Sequence, residues 1–597
     1  MSRHLIEKYR QRTAQETGAC ARPRGGRLMV ALVYPNSYYQ GMSNLGLQTV
    51  YRMLNSRQDT LCERFFLPDP EDLDEHRRTG FPLVSVETQS PLDEFDLVAF
   101  SISFENDYLN LPAIFELGHL PFWREERNDR HPLVLCGGVC AFMNPEPLAE
   151  IMDLFAVGEA EVILPGLLDA MLGTDESSRE RLLDRLAQLP GVYRPCGYDV
   201  SYAENGRLQA MTPRGDCPEQ VQRQWQAQLD DAQSSSCVAT PDTEFGSMRL
   251  VEVSRGCPRA CRFCAAGFIY RPFREHSITH LRQELLGQDQ NPGRVGLVAA
   301  AVSDYGALAE IGQAVLDKGG EVSVSSVRID AITPEQVQVL AAAGHKTLAL
   351  APEAGSQRMR DVINKGIDEA QILAAVKMLA AGGILNLKLY FMIGLPTETM
   401  ADVQAIIDLT AKIRQGWETI GKSRGRLGRL QLSVNPFVPK PWTPLQWAAM
   451  ERRSSLEKKY RLLQKQLRPV PNVDLNLESL RHAELQGYLA RGDRRVAKIL
   501  PLLAEGKSLK AACQKAGLDP AFYLYRERDD NELFPWEIIG QGVQRRHLFE
   551  EYRASLQARP GETPRRRMAC GRMHGTGMLT SHRVHATRRH PAPAPVR

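Results

Sequence analysis

Between residues 25 and 175, short apolar runs recur at Leu28–Tyr34, Leu97–Ser103, Leu133–Gly137 and Leu154–Val157. Stretches with helical spacing separate them, such as Leu45–Leu54 and Glu146–Ile151. Short continuous apolar runs predict strands buried on both faces, and strand alternating with helix predicts a parallel sheet covered by helices. An open, doubly wound sheet of this kind binds ligands beyond the carboxyl ends of its strands. Residues 176–247 are more polar and read as a connecting segment. From 248 to 440 the strand-then-helix pattern returns. Its candidate strands are Arg249–Ser254, Gly296–Val302, Glu321–Val327, Thr347–Ala351, Leu385–Ile393 and Arg429–Val434. Helical spacing fills the gaps at Ala307–Asp317, Pro334–Ala343, Asp368–Ala381 and Met400–Arg414. Six such units are fewer than the eight of a closed barrel, so the expectation is a partial (β/α)6 barrel with its chemistry at the strand C-termini. Residues 441–556 predict helices at Trp447–Leu467, Ala483–Leu502 and Leu509–Ala516. Residues 557–597, rich in Arg, His, Pro and Ala without an apolar period, read as a disordered basic tail.

Composition narrows the class. The chain has 597 residues, enough for three or four domains of about 150 residues each. No run of about 18 apolar residues predicts a membrane span. The polar start MSRHLIEKYRQRT lacks the apolar region of a secretory signal, so secretion is not expected. Twelve cysteines are scattered, apart from one tight trio and the pair Cys136/Cys140. That usage suits a reducing cytoplasm better than a disulfide scaffold. The formal net charge is +3, but residues 559–597 hold nine Arg and one Glu, which leaves the remainder acidic. The chain as a whole is not a polycation seeking nucleic acid. The tail alone keeps RNA open as a partner.

The chemistry concentrates in Val251-Glu-Val-Ser-Arg-Gly-Cys257-Pro-Arg-Ala-Cys261-Arg-Phe-Cys264. A predicted strand runs into a short loop carrying three thiols within eight residues. Thiolates hold iron–sulfur clusters, and three of them on a four-iron cubane leave one iron open. A structural zinc site takes four ligands, and no fourth Cys or His follows at short range. Arg255 and Arg259 are expected to favour the thiolate form.

Cys-x3-Cys-x-aromatic-Cys after a first strand, with Phe263 as the aromatic, resembles the motif of the radical S-adenosylmethionine (SAM) superfamily. The resemblance implies a [4Fe–4S] cluster on Cys257, Cys261 and Cys264, with SAM chelating the open iron. Reductive cleavage of SAM then gives a 5′-deoxyadenosyl radical that abstracts hydrogen from substrate. It also implies an electron donor of flavodoxin or ferredoxin type. Polar residues at the later strand ends are the candidate SAM contacts: Ser303, Asp304, Arg328, Glu353, Lys388 and Asn435. A lone Asp or Glu after a strand also serves as a helix cap; recurrence after successive strands points to a pocket.

The segment Gly137-Gly138 … Pro145-Glu146-Pro147 … Val157-Gly158-Glu159-Ala160-Glu161 resembles the end of the Rossmann-like N-terminal domain in cobalamin-type radical SAM proteins. Asp-x-His-x-x-Gly, which supplies a histidine to cobalt in many cobalamin domains, is absent. Cobalamin is therefore a further candidate cofactor, beside a domain that keeps the fold without one. The combined reading is a fused radical SAM enzyme, for methyl or sulfur transfer to an unspecified substrate. Two other readings stand beside it: an RNA-binding protein with a structural metal or cluster, and a non-catalytic cluster-based redox sensor.

Overall fold

The computed structural model describes residues 2–20, 22–173, 178–233, 235–287, 291–324 and 326–557. The expected basic tail lies outside the described residues. The first sheet comprises β1 (Leu28–Tyr34), β2 (Thr60–Phe66), β3 (Leu97–Ser101), β4 (Leu133–Gly137), β5 (Leu154–Ala156) and β6 (Val192–Tyr193), in the order β2-β1-β3-β4-β5-β6. All neighbours pair in parallel except β5 with β6. This is the flavodoxin-like doubly wound order with an antiparallel edge, and its switch point lies between β1 and β3.

Two elements of this sheet escaped the hydrophobic pattern. The strand β2 reads Thr-Leu-Cys-Glu-Arg-Phe-Phe, and Glu63 and Arg64 break its apolar run. Both are buried in the sheet and paired. Arg64 lies 2.6 Å from Glu16 and 2.6 Å from Glu87, and Glu63 accepts hydrogen bonds from Ser85 and Thr88. The edge strand β6 comes from the segment expected only to connect.

The second sheet system holds β7 (Arg249–Glu252), β8 (Arg294–Val298) and β9 (Glu321–Val324), followed by β10 (Thr347–Glu353), β11 (Asn386–Ile393), β12 (Leu430–Pro436) and β13 (Val473–Leu477). They form a three-stranded and a four-stranded sheet, all parallel. The Val327 amide donates to the Ala349 carbonyl at 3.2 Å and links the two sheets. The arc thus has seven strands rather than six. The seventh, Val-Asp-Leu-Asn-Leu, lies within the region expected to be helical.

Period-2 alternation divides the two faces of the arc. Leu387, Leu389, Phe391 and Ile393 are buried in the apolar layer under the outer helices, and so are Leu430, Leu432 and Val434. Lys388, Tyr390 and Asn435 are exposed on the opposite, inner face. The C-terminal region adds helices at Arg453–Leu467, Leu480–Ala490 and Leu509–Lys515. Trp447, Tyr488 and Trp536 of that region join one core with Ile102, Phe142, Phe268 and Met359. Both sheet systems are therefore packed against it.

Gly355, just after β10, marks a close approach. A Cβ there would sit 2.1 Å from the amide nitrogen of Ile406 in the helix Met400–Ser423. Gly355→Ala is expected to destabilise the protein by about 1–3 kcal/mol, as overpacking does. Gly166→Ala, in open space on the helix Ala160–Leu172, is expected to be neutral or mildly stabilising. Denaturant midpoints of the two variants check this; equal midpoints would refute it.

Candidate active site

The cluster loop leaves the end of β7 through a short antiparallel pair, Ser254–Arg255 with Arg274–Glu275. Gly256 has φ +88°, and a Cβ there would meet the Tyr270 carbonyl oxygen at 2.7 Å, so only glycine lets the chain turn here. The loop is clamped from below. The Arg262 amide donates to the Ile363 carbonyl at 2.9 Å, and its guanidinium donates to the Asp361 and Val362 carbonyls. Asn364 Nδ2 donates to the Ala260 carbonyl at 3.1 Å.

Cys257, Cys261 and Cys264 all border one cavity of about 230 Å3. Its other walls include Phe263, Arg259, Arg328, Asp330, Glu353, Lys365 and Tyr390.

The charges of the cavity are arranged in pairs. Arg259 lies 2.5 Å from Asp304 and 3.1 Å from Asp330. Arg328 lies 2.9 Å from Asp330 and 3.8 Å from Asp304. Lys365 lies 3.0 Å from Glu353. Glu353 has φ +66°, a left-handed conformation costly for a residue with a Cβ, at a register irregularity between β10 and β11.

Of the residues expected to contact SAM, Arg328 and Glu353 border the cavity together with the cysteines. Asp304 reaches it through Arg259. Ser303 accepts the Arg328 amide at 2.8 Å and so fixes the backbone that carries Arg328. Lys388 and Asn435 do not border the cavity. Lys388 lies one pleat below Tyr390 on the inner face of β11, and Asn435 pairs with Met392 further along the sheet. Tyr390 itself was missed. It lies in a strand whose alternation is readable, but which face turns inward is set by the closure of the arc.

The expected activation of the thiols by Arg255 is not what the structure holds. Arg255 lies 2.8 Å from Glu159, 2.9 Å from Glu161 and 2.8 Å from Glu252. Burial pushes the Cys264 thiol up to about 11, with the neighbouring Cys261 adding to it. Burial also raises Cys257, against the Arg259 amide and the more distant Arg328. Around Cys257 and Cys264 the site thus favours the neutral thiol, and a cation would be needed to offset the charge of their thiolates.

A second opening lies at the β1/β3 switch point. This cleft of about 580 Å3 is bordered by Tyr34, Asn36, Asn44, Asp107, Asn110 and His482, among others. Asn36 Nδ2 donates to Asp107 at 2.7 Å. Beside the cluster loop, the Phe142 ring packs against Tyr270 with centroids 5.5 Å apart.

Two family models match the chain: the N-terminal domain of radical SAM proteins over residues 46–195, and the radical SAM superfamily over residues 251–410. An uncharacterized protein of Methanocaldococcus jannaschii is 29% identical over 493 residues, 81% of this chain and 94% of that protein. An uncharacterized methyltransferase of Pyrococcus horikoshii is 25% identical over 292 residues, 47% of this chain and 58% of that protein. Among solved structures, the radical SAM methyltransferase TsrM of Kitasatospora setae aligns at 15% identity with a TM-score of 0.44, over 68% of this chain and 72% of that one.

Burial raises the Asp107 carboxyl to about 6, against the hydrogen bond from Asn36. The folded state therefore binds this proton more tightly than the unfolded chain. Its stabilising effect is complete below the ordinary value of 3.8 and is lost as pH rises through about 6. Asp107→Asn is expected to gain about 1–3 kcal/mol over the native protein at pH 8 and close to nothing at pH 4. Denaturant unfolding at the two pH values checks this, and an equal gain at both would refute it.

Proposed function

The chain belongs to the radical SAM superfamily and is an enzyme, and from that premise we propose that Cys257, Cys261 and Cys264 hold a [4Fe–4S] cluster at which SAM is cleaved. One observation carries the reading: the three sulfurs border a single cavity whose three cationic groups, Arg259, Arg328 and Lys365, are each paired with a carboxylate, Asp330 and Glu353 within its lining and Asp304 just behind it. SAM brings an ammonium, a carboxylate and a sulfonium, and a paired, zwitterionic wall is complementary to it. When bound, the cluster supplies the electron that splits the sulfonium bond and releases the 5′-deoxyadenosyl radical.

The chain's own groups then have distinct tasks. Arg328 would take the methionine carboxylate of SAM, and Glu353 its ammonium or a ribose hydroxyl. Asp304 and Asp330 hold Arg259 and Arg328 in place, and Lys365 holds Glu353. Lys388, Tyr390 and Asn435, on the exposed inner face of the arc, would meet the substrate. We take methyl transfer as the form of the reaction, since the Pyrococcus relative carries that name. The electron donor would be a flavodoxin- or ferredoxin-like protein.

The N-terminal cleft supports a second part of this reading. It opens at the switch point of the sheet, where this topology binds its ligand, and its Asn36, Asn44 and Asn110 suit the amide side chains of a corrin. Protein purified anaerobically from cells supplied with cobalamin is expected to carry about one cobalt per chain. Cobalt at background level would remove cobalamin and leave the cluster reading intact.

Reconstitution with iron and sulfide, then dithionite and SAM, is expected to give 5′-deoxyadenosine. Cys261→Ala should lose the cluster and the product together. Glu353→Gln should keep the iron and weaken SAM binding about 10-fold or more, the scale of a hydrogen bond to a charged group. An intact cluster that yields neither product nor a SAM-dependent change in its electron paramagnetic resonance would overturn the proposal and favour a redox sensor.

A further inference from the structure

Away from the cysteine cavity, Asp230, His276 and His280 each offer one ligand atom, and these atoms lie within 4.8 Å of one another. Asp230 lies in the single turn Leu229–Asp231 of the connecting segment. His276 follows the strand Arg274–Glu275 that returns from the cluster loop, and His280 is on the first turn of the helix Ile278–Leu286. The two imidazole rings stack, with centroids 4.8 Å apart and planes 17° from parallel.

The surroundings of His276 carry the argument. Its side chain is fully buried. Its Nδ1 lies 3.3 Å from Asp230 Oδ1, and its Nε2 lies 3.9 Å from Glu252 Oε2 and has no hydrogen-bond partner. A neutral imidazole has one N–H. Between two carboxylates a neutral ring turns a bare lone pair toward one of them, and only a second ring proton or a bound cation avoids this. A cation on Nδ1 removes the conflict: it is shared with Asp230, and Nε2–H is left to face Glu252. That is the carboxylate–histidine–metal arrangement that orients metal-bound histidines. His280 repeats it, with Nε2 3.4 Å from Glu284 Oε2.

We propose that Asp230, His276 and His280 form a site for a divalent transition ion of the zinc class. Two imidazoles and one carboxylate are the donors such an ion prefers, whereas calcium and magnesium take oxygen shells. Bonds of 2.0–2.1 Å place tetrahedral ligands roughly 3.3 Å apart. Asp230 and His280, both partly exposed, have room to close that distance around the buried His276. The same exposure leaves a side open for water to complete the shell. An ion here would tie the connecting segment to the strand that follows the cluster loop. The site does not rest on the cluster reading.

The test is equilibrium dialysis of Zn2+ against full-length protein reconstituted with iron and sulfide, with X-ray absorption at the zinc edge. The native protein is expected to hold one zinc per chain, with nitrogen and oxygen neighbours near 2.0 Å and no sulfur. His280→Ala and Asp230→Asn should each weaken zinc binding more than about 100-fold, beyond what loss of an outer partner costs. Their iron content and circular dichroism should match the native protein. A zinc shell dominated by sulfur, or zinc bound equally by native protein and the His280→Ala, Asp230→Asn double variant, would overturn the site. Because the edge separates nitrogen from sulfur in the native protein alone, a variant that fails to fold does not spoil the test. Iron content reports separately on the cluster.

Discussion

The half-buried guanidinium of Arg255 fixes the cluster loop in space. It sits two residues before Cys257 and touches three carboxylates: Glu159 and Glu161 from the end of the first sheet, and Glu252 from β7. Charges removed from water carry a desolvation cost that only close, well-bonded partners offset. The partners here are close. Burial opposes ionisation of Glu159, but the hydrogen bond from Arg274 and the charge of Arg255 hold its carboxyl below the usual range. Burial opposes that of Glu252 as well, and the charge and hydrogen bonds of Arg255 hold it at about 2. Gly158, at φ +132°, brings the chain past Gln224 so tightly that a Cβ would lie 2.0 Å from that carbonyl oxygen. The N-terminal domain thus sets the position of the loop through ion pairs, while the barrel supplies the cavity beneath it.

That division accounts for the two roles of arginine near the thiols. Arg255 is spent on holding domains together and has no charge to lend to sulfur. Arg259 faces the cavity but is held by Asp304 and Asp330. The paired charges leave the cavity close to neutral, which suits a ligand carrying both signs and gives no advantage to a simple anion. Period-2 alternation does the rest. On β11 and β12 it sends leucines, phenylalanine and isoleucine outward under the helices, and it leaves Lys388, Tyr390 and Asn435 facing the open side. An arc of seven strands, unlike a closed barrel, leaves that polar face accessible.

The sequence made legible what depends on local pattern. The strands Leu28–Tyr34, Leu97–Ser101 and Leu133–Gly137 follow from unbroken apolar runs, and the loop of three thiols follows from spacing. It hid what depends on long-range pairing. The strand Thr60–Phe66 looks too polar for a sheet interior until Glu16 and Glu87 arrive to neutralise Arg64. Val473–Leu477 is a short alternating run inside helical surroundings, and its place beside β12 is a tertiary fact. In the site, Arg328 and Glu353 came from their positions after strands. Lys388 and Asn435 came by the same reasoning, yet they lie on the inner face outside the cavity. Strand ends are visible in a sequence; the depth of a residue along the barrel axis is not.

The segment between the two sheet systems is more than a tether. Gln226 donates its amide to Glu159 at 2.9 Å, Arg223 donates to the Arg271 carbonyl, and Arg274 reaches back to both Glu159 and the Gln226 carbonyl. Further along, Asp230 accepts the Ser277 amide at 2.9 Å and faces His276. These contacts run along residues 271–277, around the strand Arg274–Glu275 that closes the cluster loop. The loop is therefore gripped on its incoming side by Arg255 and on its outgoing side by the connecting segment. A loop that must present three thiols to one rigid object gains from being fixed at both ends, because any freedom left in it would have to be lost when the object binds.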